Sequence, residues 1–149
     1  MKTIKKIIGI FIIGITVSSC MVQKAATEVD LKAKNLVAPT DKALVYVLRA
    51  TSFGGAVKFK VSCDDKFVGS TSGMRFVYTI QEPGKHNFIS KAENKEELQI
   101  VLEGNKTYYI EQVVKMGIIM ARNKLVVIDE LKGKEKLNKC KLSADNVEK

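Results

Sequence analysis

From residue 43 onward the chain repeats one pattern: a short apolar run of period two, then a turn signal, at spacings of roughly ten residues. Residues 43–50 carry Leu44, Tyr46 and Leu48 on one face and Val45 and Val47 on the other. Both faces are apolar, so a central strand is expected. Val57, Phe59 and Val61 alternate with Lys58, Lys60 and Ser62, which predicts a strand with one wet face. Asp64-Asp65 turns the chain into 66–69 as a hairpin. Further strands are expected at 74–80, 86–91, 98–102, 107–114 and 124–129. Two of the turns between them are explicit. Glu82-Pro83-Gly84-Lys85 joins a preset φ to a glycine, and Glu103-Gly104-Asn105 is hairpin-like. Residues 130–141 read as a short helix, weakened by Gly133, with Leu131 and Leu137 available to the sheet. Residues 143–149 read as a frayed tail. Seven or eight short strands define an all-β chain, an antiparallel β-sandwich of immunoglobulin-like or prealbumin-like type over residues 43–142.

What precedes the strands has a different texture. Lys2, Lys5 and Lys6 form a basic start, and the uncharged, isoleucine-rich stretch 7–17 follows it. That stretch is short of the roughly 20 residues needed to span a bilayer and matches a signal-peptide core. It ends in Val17-Ser18-Ser19-Cys20, an apolar residue, two small residues and a cysteine. No Ala-x-Ala-like cleavage site competes with it. A thiol at that point is what lipoprotein processing needs, because a diacylglycerol is joined to sulfur before cleavage frees the amino group. Two or three acyl chains such as palmitate, at about 0.8 kcal/mol per buried methylene, then anchor stably. The expectation is a lipoprotein signal peptide over 1–19, lipidation at Cys20, a tether over 20–42 read first as a flexible spacer and second as a short helix over 25–36 with a weak apolar stripe, and a membrane-anchored envelope location. Met21 is not an aspartate retention signal, which favours an outer membrane.

The formal charge of +9 includes the three leader lysines, leaving +6 on the mature chain. These lysines are interspersed with acids and read first as a solvated surface, second as an attraction to anionic head groups or wall polymers. Export and the lack of a basic-aromatic motif exclude nucleic acid as the partner. Beyond the lipid cysteine stand Cys63 and Cys140. A disulfide between them would close a long loop worth about 4 kcal/mol; two separate thiols are the alternative. No close cysteine pair exists and His86 has no second histidine, so no metal site and no cofactor are expected.

No catalytic constellation is legible either. His86 follows a Pro-Gly turn at the start of a strand, Ser62, Ser70, Ser72 and Ser90 lack a nucleophile elbow, and no glycine-rich stretch fits a phosphate loop. Asp64-Asp65 reads as a solvated turn rather than a weak calcium site. The segment Met116, Gly117, Ile118, Ile119, Met120, Ala121, Arg122 has two readings. It is an adaptable apolar contact surface for a partner or the membrane, or a strand or bulge that closes the core, the more ordinary of the two. Of Tyr108 and Tyr109, alternation sends one ring inward and the other out, where it could stack on glycan.

Four stretches occur in order: Ala43-Leu44-Val45-Tyr46-Val47, Pro83-Gly84-Lys85-His86, Gly104-Asn105-Lys106-Thr107-Tyr108-Tyr109-Ile110 and the 116–122 segment. Together they resemble a family of bacterial envelope proteins known as domain of unknown function 2846, over roughly residues 42–142. The resemblance implies a small lipoprotein or envelope protein, with a sandwich related in style to carboxypeptidase-regulatory and surface-layer repeat domains. It brings no catalytic residues. Cys140 with its flanking lysines fits the family's C-terminal end, which leaves the disulfide open. The expected function is that of a non-enzymatic lipid-anchored envelope protein that binds or organises an envelope component. Glycan or peptidoglycan recognition is the alternative, and an enzyme with an unrecognised site comes third.

Overall fold

The computed structural model describes residues 17–119 and 121–146. Residues 1–16 of the expected 1–19 leader, Met120, and 147–149 of the expected tail lie outside the described residues. Helix α1 (Val17–Lys34) precedes eight strands: β1 (Ala43–Arg49), β2 (Phe59–Cys63), β3 (Lys66–Thr71), β4 (Arg75–Gln81), β5 (Gly84–Lys91), β6 (Lys95–Leu102), β7 (Thr107–Lys115) and β8 (Arg122–Ile128). Helix α2 (Glu130–Lys139) and the two-residue β9 (Lys141–Leu142) complete it. One sheet has the order β8-β7-β1-β4-β9 and the other β3-β2-β5-β6. The fold is an all-β sandwich with a short C-terminal helix, as its alternating runs predict.

β1 is buried along its whole length, and its sequence says why. Val45 and Val47 face the second sheet, in a cluster with its Val61 and Phe88 and with Val77 and Ile110 of their own sheet. Leu44, Tyr46 and Leu48 face the helices, in a second cluster with Phe76, Tyr109, Leu137 and Cys140. A strand covered on both faces reads as a continuous apolar run, here Ala43 to Leu48, with the buried Arg49 closing it. Two ladders depart from the antiparallel expectation: β1 pairs with β7, and β4 with β9, in parallel. β9 reaches the edge of its sheet by way of α2, and the β1–β7 pair follows from the 103–105 turn. It is not a hairpin but carries the chain from β6 in one sheet to β7 in the other. Gly104 sits there against the backbone of Thr40 and Asp41, where a Cβ would come within 3.2 Å.

Three further expectations change. The stretch read as a flexible spacer is helical to Lys34, and its last turns dock on the sheet. The Tyr46 hydroxyl donates to the Ala33 carbonyl at 2.6 Å, and Asp30 accepts from the Leu142 amide at 2.6 Å. The docking uses small residues and polar groups in place of an apolar stripe. In α2, Leu137 packs inward but Leu131 is 82% exposed. The tail is pinned as far as Asn146: Ser143 donates to Phe76 and Ser70 carbonyls, and Asn146 bridges to both backbone groups of Tyr78.

Candidate functional site

The loops 50–58, 72–74, 92–94 and 116–121 gather at one end of the sandwich. A buried arginine shapes the first of them. Arg49 is fully buried at the end of β1, and its guanidinium donates to the carbonyls of Phe53, Gly54 and Val57 at 2.6–2.9 Å. It also lies 4.1 Å from the centroid of Phe59. Carbonyl dipoles and a ring face thus stand in for a counter-ion. A carboxylate shapes the last loop. Glu93 accepts from the Ile118 and Ile119 amides and from Arg122 Nε. Gly54 touches Ala121 closely, so the two loops are neighbours.

Held in this way, the described stretch 116–119 turns its large apolar side chains out, whereas Ala121 is buried. Met116, Ile118 and Ile119 are 81%, 87% and 87% exposed, and Phe53 in the neighbouring loop is half-exposed. These three side chains therefore do not close the core; Met120, also in the expected contact surface, lies outside the described residues. Arg122 is taken up by Glu93. The four loops contain a single acid, Glu93, whereas the opposite end carries Asp41, Asp64, Asp65, Glu82, Glu103 and Asp129.

Helix α1 runs toward the apolar end when followed back to its start. Asp30 binds Leu142, which is level with Phe76 and so with Leu48 near the top of β1. Ala33, three residues later, binds Tyr46, one pleat lower. The helix descends as β1 ascends. At 1.5 Å per residue, the ten residues before Asp30 measure roughly 15 Å along the helix axis. Cys20 lies ten residues before Asp30 on that helix. Among the described residues, no helix is long and apolar enough to cross a membrane.

The remaining candidates are placed as follows. Cys63 and Cys140 are both free and buried. The disulfide is not formed, because Cys63 lies between the sheets and Cys140 lies under the helices, on opposite sides of one sheet. Burial pushes their thiols up, to about 12 and about 11. Tyr109 is buried beneath α2, and Tyr108 is half-buried, its hydroxyl accepting from the Glu103 amide. Both rings point inward because both faces of their sheet are covered, so the outward ring of the glycan reading is not found. A groove between α1 and β9 has its polar groups engaged: Asp30 with Lys34, Arg75 with the Leu142 carbonyl, Asn146 with Tyr78.

One cluster escaped the sequence reading. The β2–β5 ladder sets Cys63 opposite Phe88, and His86 lies two residues before Phe88 on the same inward face. His86 Nδ1 is 2.6 Å from Asp64 Oδ2 and 3.9 Å from Cys63 Sγ, and its Nε2 is 2.8 Å from the Glu82 carbonyl. The other Asp64 oxygen accepts from the Asn87 amide, which with His86 holds this carboxyl below its usual range. The alternation of His86 with Phe88 and the position of Cys63 at a strand end were the available signals. They act only through a non-local pairing.

Residues 39–124 match the family described as "Protein of unknown function (DUF2846)". The match stops short of α2 and β9, which the sequence resemblance had included. An uncharacterized protein of Haemophilus influenzae is 28% identical over 137 residues, covering 90% of this chain and 82% of that one. The alternating strands, the sandwich they build and the 39–124 match agree: the chain belongs to the DUF2846 family.

Proposed function

We propose that this chain is a non-enzymatic lipid-anchored envelope protein whose sandwich rests its apolar loop end on the leaflet that holds the Cys20 acyl chains. The observation that carries this is a coincidence of ends. α1 leads back toward the same rim that exposes Met116, Ile118 and Ile119, and the acids are gathered at the far end. Full burial of a Met or Ile side chain is worth about 1.5–3 kcal/mol, so partial insertion of three adds a few kcal/mol to the anchor. The loops at the apolar rim carry one acid, Glu93, already paired with Arg122, so this end meets little repulsion from anionic head groups. The far end then faces away from the bilayer, free to bind or organise an envelope component.

The test is photocrosslinking of the membrane-bound chain with a photoactivatable phospholipid, read by peptide mass. Labelling of the peptide containing residues 116–119, lost in Ile118→Asp/Ile119→Asp, is the expected result. A tip that crosslinks to protein and not to lipid would replace the leaflet with a protein partner. The substituted side chains are exposed, so the variant keeps its fold.

A further inference from the structure

We propose that Cys63, Asp64 and His86 form a binding site for a zinc-like divalent cation at the acidic end of the sandwich. The imidazole is the starting point. The Glu82 carbonyl can only accept, so Nε2 carries the hydrogen that reaches it. A neutral ring then presents a lone pair at Nδ1. That lone pair faces Asp64 Oδ2, itself an acceptor, at 2.6 Å. Two acceptors at this distance are stable only with a proton or a cation between them. An imidazole whose far nitrogen is fixed by a backbone carbonyl is also the usual outer support of a metal-bound histidine.

The third donor distinguishes a metal site from an ion pair. Cys63 Sγ lies 3.9 Å from Nδ1 and 3.8 Å from Asp64 Oδ2. Ligand atoms on a tetrahedral zinc, with bonds of about 2.0 Å to nitrogen and oxygen and about 2.3 Å to sulfur, stand roughly 3.3–3.6 Å apart. Both sulfur separations are within a few tenths of an ångström of that. The Nδ1–Oδ2 separation must open by less than about 1 Å, and the Asp64 side chain, 45% exposed, has room to turn. The ligands match a borderline cation: thiolate and imidazole select zinc over calcium or magnesium. On binding, Cys63 releases its proton to solvent and the metal takes the thiolate, with water at the fourth position. The half-exposed Asp64 gives the ion its path in. Asp64 and Asp65 adopt φ of 47° and 64°, so the turn that carries the carboxylate is a fixed left-handed one.

The experiment uses the full lipidated chain without a histidine tag, in detergent, stripped by chelation. Zinc is titrated against a chromophoric chelator, and cobalt is then substituted for its thiolate charge-transfer band. The expected result is one ion per chain and a charge-transfer band. In Cys63→Ser the band is lost and affinity falls on the order of tenfold or more. Asp64→Asn, which tolerates the same left-handed turn, weakens zinc to a similar degree without unfolding the hairpin. Cys140→Ser, on the other side of the sheet, changes neither reading. Binding below one ion per chain, or binding unchanged in Cys63→Ser and Asp64→Asn, would show an ion pair only and overturn the site.

Discussion

Replacing Gly133 by alanine tests the packing that fixes both helices to the sheet. In an exposed helix interior, glycine is less favourable than alanine by about 1 kcal/mol, so propensity alone predicts that Gly133→Ala stabilises. The surroundings reverse the sign. Gly133 is buried on α2, and a Cβ there would lie 2.2 Å from Tyr109 Cγ and 2.6 Å from both Cδ atoms. Ordinary carbon contacts begin near 3.4 Å, so ring or helix must move by about 1.2 Å. The ring cannot withdraw freely, because its other face stacks on Tyr46 at 5.5 Å and 15°. Overpacking of this kind costs about 1–3 kcal/mol, and the severity of the overlap places it at the upper end. After the propensity gain is subtracted, the net loss is roughly 1–2 kcal/mol, or a Tm lower by about 4–8 °C. Thermal melts followed by circular dichroism read this directly. A double-mutant cycle assigns the cause. In a Tyr109→Ala background the overlap is gone, and Gly133→Ala becomes neutral or stabilising by up to about 1 kcal/mol. A rise in Tm for Gly133→Ala in the native background would refute the reasoning.

Other consequences are as direct. Native protein has the same mass under reducing and non-reducing conditions, and Cys140, its thiol pushed up by burial, reacts with a maleimide only on unfolding; rapid native labelling would contradict its burial. Asp129 caps α2 by accepting from the Lys132 amide, and that bond holds its carboxyl below its ordinary range. Its contribution is present above the unfolded value of about 3.9 and is lost as pH falls through the lower folded value. Asp129→Ala therefore lowers Tm at pH 7, and wild type and variant converge on acidification; a gap that persists at pH 2 would remove the cap from the account. Cys20→Ala leaves the chain unlipidated and releases it from the membrane fraction, and lipid labelling that survives the change would mean the acceptor is elsewhere.

The sandwich was legible because its signal is local. Period-two runs and turn residues such as Pro83-Gly84 locate strands without knowledge of what they touch, and the doubly apolar β1 announced its central place. Pairing was less legible. Nothing around Gly104 distinguishes a hairpin from a crossing between sheets, because the deciding contact is with Thr40 and Asp41. For α1 a short helix over 25–36 stood second to a flexible spacer, because its docking rests on Ala33, Asp30 and a tyrosine hydroxyl, none of which marks an amphipathic helix. At the apolar end, composition suggested a core segment. Exposure of Met116, Ile118 and Ile119 follows from the grip of Glu93 on two backbone amides, a contact across 25 residues of sequence. The Cys63–Asp64–His86 cluster has the same origin, since only the β2–β5 ladder joins its halves.

The most direct test of the leaflet-anchored account is the mass of the N-terminal peptide of the chain purified from membranes. The account predicts a peptide beginning at Cys20 and carrying a diacylglyceryl group on sulfur, with residues 1–19 removed. A peptide that retains residues 1–19 with an unmodified Cys20 would contradict it.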